Sequence, residues 1–178
     1  KDGVFGEYFH VNDADGNLAL IPENVSPAEA CMLSDMVPTG FHGVELADVE
    51  FGDVVLVVGI GPVGLMSVAG ANLRGASRIL AVGTRPKCIE VARGYGATDF
   101  ISYKEGPIAD QVLALTDGKG VDVSFEALGI PATWTTALDV LSDGGRMVPI
   151  GLGAGVQTAG VEINRTVRRS QSILGSYG

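Results

Sequence analysis

The chain has 178 residues, is 46% hydrophobic and 19% charged, and carries a formal charge of −9. That composition supplies one domain with a real core and excludes a disordered chain. The acidic balance disfavours nucleic acid as a partner, and no apolar run approaches the ~20 residues that span a bilayer.

The two cysteines, Cys31 and Cys88, lie outside any Cys-x-x-Cys pair. Neither a disulfide framework nor a closed zinc cage is therefore indicated, and a reducing, cytoplasmic setting fits. The opening Lys1-Asp2-Gly3-Val4-Phe5-Gly6-Glu7 has neither the apolar core nor the cleavage site of a signal peptide.

Residues 1–25 read as short extended pieces, with a turn at Asp13-Ala14-Asp15-Gly16-Asn17. Ser26-Pro27-Ala28-Glu29 is a helix start: serine caps, proline suits the first helical position, and glutamate can complete a capping box. A second helix is expected to follow Pro38 and to end before Gly52. Val54-Val55-Leu56-Val57-Val58 suits a strand buried on both faces of a parallel sheet. A glycine motif and a helix-compatible stretch to Gly75 follow. Arg78–Val82 predicts the second strand. Cys88, Val91, Ala92 and Tyr95 then mark a helix face, on which Cys88 reads as buried. Phe100-Ile101 lies in a third strand, and Ile108, Val112 and Leu115 repeat the helical spacing. Val121–Phe125 is the fourth strand. Pro131 opens a helix with Trp134, Ala137, Leu138 and Leu141 on its buried stripe. Gly144-Gly145 turns into a fifth strand, Arg146–Ile150, and Ser172-Ile173-Leu174 is the sixth. This alternation predicts an α/β fold, a doubly wound parallel six-stranded sheet of the Rossmann type.

Gly59-Ile60-Gly61-Pro62-Val63-Gly64 sits between the first strand and its helix. That context turns a common glycine pattern into a phosphate-binding turn. Gly59 permits the tight turn, Gly61 lets backbone approach a pyrophosphate, and Gly64 lets helix and sheet pack closely. The helix N-terminus offers free N–H groups, and Pro62 there forfeits only an N–H that would go unpaired. At the end of the second strand, where an NAD site places a carboxylate, the chain reads Gly83-Thr84-Arg85-Pro86-Lys87. Thr84 can donate to a 2′-phosphate and Arg85 can meet it in a bidentate manner, so NADP(H) is favoured.

Residues 1–15, Thr39-Gly40-Phe41-His42-Gly43, the glycine motif, Gly83-Thr84-Arg85-Pro86 and Tyr103-Lys104 together resemble the zinc-dependent medium-chain alcohol dehydrogenases. The resemblance is strongest to their bacterial NADP-dependent secondary alcohol subgroup. From about Phe125, Glu126-Ala127-Leu128-Gly129 and Gly144-Gly145-Arg146 are similar to medium-chain dehydrogenases in general. The resemblance implies that Asp35 is a catalytic zinc ligand. It implies that Thr39 and Val63 contact the nicotinamide, and that Ile150-Gly151-Leu152 lies where the chain passes the nicotinamide end of the cofactor. Gly83, Thr84, Arg85 and Tyr103 would form the 2′-phosphate pocket. It also implies that the other two zinc ligands lie upstream of Lys1. Residues 1–35 would then be a lead-in from a catalytic domain and residues 36–178 the NADP-binding domain.

A catalytic zinc needs three protein ligands. Asp35 and His42, seven residues apart, would be separated by ~10 Å along one helix. Cys31, within Ala30-Cys31-Met32-Leu33, reads as a buried structural cysteine. His10 suits a surface or packing role. His42 could equally sit near a cofactor or satisfy backbone at a helix edge. Arg165, Arg168 and Arg169 read as a solvated face or a subunit contact, and Trp134 as core. The expected function is hydride transfer between NADP(H) and a small alcohol or ketone at a zinc ion held partly by Asp35, with Thr39 and Val63 orienting the ring. This stretch alone is expected to bind NADP(H) without turnover, and a homo-oligomer is possible. A metal-free quinone or enoyl reductase and a non-catalytic nucleotide-binding module are the alternatives.

Overall fold

A computed structural model describes residues 4–177. The chain divides into two compact units, residues 1–33 and 34–178.

The first unit has no strand among its described residues. Its helices are α1 (Ala14–Asn17), a single turn where a turn was expected, and α2 (Pro27–Met32). The capping box forms: the Ser26 hydroxyl accepts from Glu29 N–H over 3.3 Å, and the Glu29 carboxylate accepts from Ser26 N–H over 2.9 Å. The hydroxyl of Ser26 also donates to that carboxylate, which holds the Glu29 pKa below the ordinary range. The burial expected of Cys31 is not observed. Because α2 has only six residues and buries none of them, Cys31 is exposed. His10 is exposed as well, in keeping with a surface role.

The second unit contains α3 (Met36–Leu46), β1 (Val54–Val58), α4 (Pro62–Leu73), β2 (Arg78–Val82) and α5 (Pro86–Gly94). There follow β3 (Asp99–Ile101), α6 (Ile108–Leu115), β4 (Val121–Glu126), α7 (Pro131–Asp139), β5 (Leu141–Pro149), α8 (Ile163–Arg168) and β6 (Ser172–Ile173). All six strands are parallel, in the order β3-β2-β1-β4-β5-β6. The chain winds outward from β1 in one direction and then returns to continue from β4 in the other. That reversal opens a crevice at the carboxyl ends of β1 and β4.

Alternate residues of the strands feed two cores. Val55, Val57, Ile79, Ala81, Phe125 and Val148 pack towards α3, α4 and α5. Leu56, Val58, Leu80, Val82 and Met147 pack towards α6 and α7. Both faces are therefore covered, which is why β1 and β2 carry continuous apolar runs. Trp134 is partly buried against the second core, as expected of a packing residue.

Several local expectations are corrected. α3 begins at Met36, before Pro38, because proline fits the first turn of a helix. Leu141 is a buried residue of β5, not of the α7 stripe, since α7 ends at Asp139. Gly144-Gly145 lies inside β5: Val121 pairs with Leu141 and Val123 with Arg146, so the extra residues bulge out of the ladder. On α5 the packed residues are Cys88, Ile89 and Ala92, whereas Tyr95 caps the C-terminus and is exposed. Arg165 pairs with Asp139 at 2.7 Å and Arg169 with Asp143 at 2.6 Å, so these arginines tie α8 and its end to α7 and β5. Among the described residues no helix is long and apolar enough to cross a membrane.

Candidate functional site

The register brings the strand ends into one row. Ile101 pairs with Val82, Val82 with Val58, Val58 with Glu126, and Glu126 with Pro149. The loops that leave this row form the walls of the crevice.

Gly59 leaves β1 with φ +96°, a conformation natural to glycine. A Cβ on Gly64 would collide with the carbonyl oxygen of Gly59, so α4 is seated directly against the turn. Gly61 differs from both. A Cβ there would meet only the Arg85 Nη2, 4.0 Å away. The space over Gly61 is thus open, bounded by the first turn of α4 and by a guanidinium. Pro62 is the first residue of α4, as its sequence position predicts.

Two cavities extend from this turn. One, of about 450 Å³, is walled by Gly59, Gly61, Gly83, Thr84, Arg85 and Tyr103, with Cys88 and Thr133 at its side. The Thr84 hydroxyl donates to the Tyr103 hydroxyl over 3.1 Å, which joins the ends of β2 and β3. The Arg85 guanidinium has no hydrogen-bond or ion-pair partner among the described residues, and the residue is exposed.

The other cavity, of about 370 Å³, is walled by Asp35, Thr39, Val63, Ile150, Gly151 and Ser176. Thr39 and Val63 reach the same wall because α3 and α4 pack at glycine. A Cβ on Gly40 would lie 2.8 Å from Val63 O and 2.9 Å from Ser67 N. Thr39 is buried, and its hydroxyl donates to the Asp35 carboxylate over 3.0 Å. Asp35 occupies the N-cap of α3, where the helix dipole favours a negative charge, and is exposed. The hydroxyl of Ser176 is buried in this wall and has no hydrogen-bond partner among the described residues. Ala127 and Leu128 line both cavities, so the two meet there.

The structure thus brings Gly59, Gly61, Gly83, Thr84, Arg85 and Tyr103 together around one cavity, and Asp35, Thr39, Val63, Ile150 and Gly151 around the next. Cys88 borders the first cavity, in addition to packing on the core. His42 lies exposed on α3 and lines neither cavity. Among the described residues no three His, Cys, Asp or Glu side chains are grouped to hold a metal ion.

Three contributors escaped sequence reasoning: Glu126, Thr133 and Ser176. Glu126 gave a usable signal, a carboxylate ending an otherwise apolar strand. Ser176 gave none, because only the assembled cavity shows that its hydroxyl is unpartnered.

A protein-family model described as "Zinc-binding dehydrogenase" matches residues 62–178. The "NADP-dependent isopropanol dehydrogenase" of Thermoanaerobacter brockii is 56% identical over 150 residues, which cover 84% of this chain and 43% of that protein. The protein of the same name from Entamoeba histolytica is 59% identical over 144 residues, 81% of this chain and 39% of that one. Among solved structures, an alcohol dehydrogenase from Thermus sp. ATN1 superposes with a TM-score of 0.83 at 30% identity, covering 91% of this chain and 46% of that one. A zinc-dependent alcohol dehydrogenase from Streptococcus gives 0.85 at 29% identity, over 96% and 49%. The chain spans less than half the length of these relatives, and over the part it shares with them it belongs to the zinc-binding dehydrogenase family.

Proposed function

We propose that this chain is the cofactor-binding part of an oxidoreductase that passes a hydride between NADP(H) and a small alcohol or ketone. The observation that carries this reading is the open cradle over Gly61, with the Arg85 guanidinium at its edge. A pyrophosphate fits a space that any larger side chain at position 61 would fill, beside the positive end of α4. Gly83, Thr84, Arg85 and Tyr103 then take the adenosine 2′-phosphate, with Arg85 as an available cation. Thr39, Val63, Ile150 and Gly151 take the nicotinamide ring, and the buried Ser176 hydroxyl offers its unused hydrogen bond to the same end. The bound nicotinamide supplies the hydride chemistry, while these side chains fix its position and exclude water. The names of the relatives support NADP as cofactor and an alcohol as substrate.

Asp35 is proposed as one carboxylate ligand of a catalytic metal. The described residues do not complete a metal site. The proposed division makes residues 1–35 a lead-in and residues 36–178 the cofactor domain. The same reading has the protein work in the cytoplasm as a homo-oligomer without a nucleic-acid partner, and the charge of −9 supports the last point. The test is a titration of the chain with NADPH, followed by energy transfer from Trp134 to the reduced nicotinamide. Saturable one-to-one binding is expected, and absence of binding at millimolar NADPH would remove the proposal.

A further inference from the structure

Glu126 is fully buried, a carboxylate directly before Ala127 and Leu128, the two residues that line both cavities. Nothing in the hydride chemistry asks for it. Its environment nevertheless satisfies it thoroughly. Its Oε1 accepts from Leu128 N–H over 3.0 Å and from the Thr133 hydroxyl over 2.7 Å. Gly129 N–H donates to both carboxylate oxygens, at 3.0 and 2.9 Å. The backbone of the same residue is equally committed: Glu126 O accepts from Ile150 N–H over 2.8 Å and from Gly151 N–H over 2.9 Å. The next residue, Ala127, donates its N–H to Val58 O over 3.0 Å. Glu126 thus ties the β4–α7 turn to the exit of β5, and its neighbour Ala127 adds the end of β1.

The turn it holds is tightly fitted. Gly129 has φ +72°, and a Cβ on it would collide with Gly153 N. A Cβ on Gly151 would collide with the N–H groups of Leu128 and Gly129. Two loops therefore lie backbone to backbone. Leu128 projects from the held turn towards the glycine motif, with its Cγ 2.8 Å from where a Gly59 Cβ would stand. It borders both cavities.

We infer that Glu126, with Thr133, is a positioning residue that sets the Leu128 partition, and so the path by which a dinucleotide runs from one cavity into the other. This rests on the cofactor reading above. A ligand that fills only the Arg85 cavity does not need that path; one that spans both cavities does. Glutamine in place of Glu126 keeps one oxygen for Leu128 N–H and the Thr133 hydroxyl but puts an amide donor where Oε2 accepts from Gly129 N–H over 2.9 Å, and the two facing donors push the turn outward.

The test compares NADPH with adenosine 2′,5′-bisphosphate, the half-ligand that lacks the nicotinamide end, by calorimetric titration of the full chain. In Glu126→Gln we expect NADPH affinity to fall by about tenfold and the half-ligand to change by less than about twofold. Thr133→Val removes the hydroxyl that reaches Glu126 Oε1 and Ile130 O while keeping shape, and should move the ratio in the same direction by less, so the test survives if the glutamine variant does not fold. Thr136→Val, which loses only a hydroxyl bond to Ala132 O on the outer side of α7, serves as the control and should leave the ratio unchanged. Equal losses for both ligands, or no loss for either, in Glu126→Gln and Thr133→Val overturn the inference. A wild-type chain that binds neither ligand overturns the cofactor reading and this inference with it.

Discussion

Arg85 Nη2 lies 4.0 Å from where a Cβ on Gly61 would stand, the one such neighbour among the described residues beyond the adjoining chain, so the exposed cation at the end of β2 overlooks the glycine turn at the end of β1. Charge-assisted hydrogen bonds to phosphate contribute about 1.5–3 kcal/mol. Arg85→Ala is therefore expected to weaken NADPH by about ten- to a hundredfold while leaving NADH nearly unchanged. Parallel titrations with the two cofactors check this, and equal losses would show that Arg85 does not meet the 2′-phosphate.

Two glycines of one motif should fail in opposite ways. At Gly64 an added Cβ runs into the Gly59 carbonyl, whereas at Gly61 it enters open space. Gly64→Ala is expected to lower stability by about 1–3 kcal/mol, because helix and turn must move apart. Gly61→Ala should keep the melting temperature and lose cofactor affinity. Thermal melts with and without NADPH separate the two outcomes.

Ser176 should show a similar separation. Its buried hydroxyl is unpartnered, and removing such a group relieves a desolvation cost of about 1–3 kcal/mol. Ser176→Ala is predicted to be at least as stable as the wild type. It should nonetheless bind NADPH more weakly, with adenosine 2′,5′-bisphosphate unaffected. A variant that loses stability, or loses both ligands alike, contradicts the role given to the hydroxyl.

The acid limb of stability should depend on Asp99. Arg78 donates to both its oxygens, at 3.2 and 2.7 Å, and this hydrogen bonding, against the opposing effect of burial, holds the Asp99 pKa below its ordinary value. The same pairing raises the Arg78 pKa, which stays charged throughout. Because the folded pKa lies below the unfolded one, the contribution is complete above the ordinary carboxylate value of about 3.9 and is lost as pH falls through the lowered folded value. Asp99→Asn should cost about 1 kcal/mol at neutral pH and flatten the loss of stability below about pH 4. Urea melts at pH 7 and pH 3 are the measurement, and equal pH dependence in both proteins would rule the pair out as the cause.

The chain should not oxidise alcohols unaided. With no three-ligand group among the described residues, Asp35 cannot hold a zinc ion firmly alone. Dialysed protein is expected to contain well under one zinc per chain and to show no NADP+ reduction with 2-propanol. Stoichiometric zinc together with turnover would refute this.

The sheet was legible because its signal is local. Val54–Val58 and Arg78–Val82 are continuous apolar runs, and burial on both faces leaves no other use for them. The glycine turn was legible because its three glycines fall within six residues, between an apolar strand and a helix start. Misreadings arose where a local pattern met a longer-range constraint. Leu141 continued the helical spacing of α7, yet pairing with Val121 claimed it for β5. Cys31 sat in an apolar stretch, yet its six-residue helix buries nothing.

By itself the sequence determined the strands and the glycine turn that follows β1, because backbone sterics and hydrophobic periodicity act over neighbouring residues. Only the tertiary structure decided which of them share a wall. The parallel register carries Val58, Val82 and Glu126 to one edge, the glycine contact of α3 with α4 sets Thr39 beside Val63, and the fold leaves Ser176 buried without a partner. Those are distances between residues far apart in the chain, and packing alone fixes them.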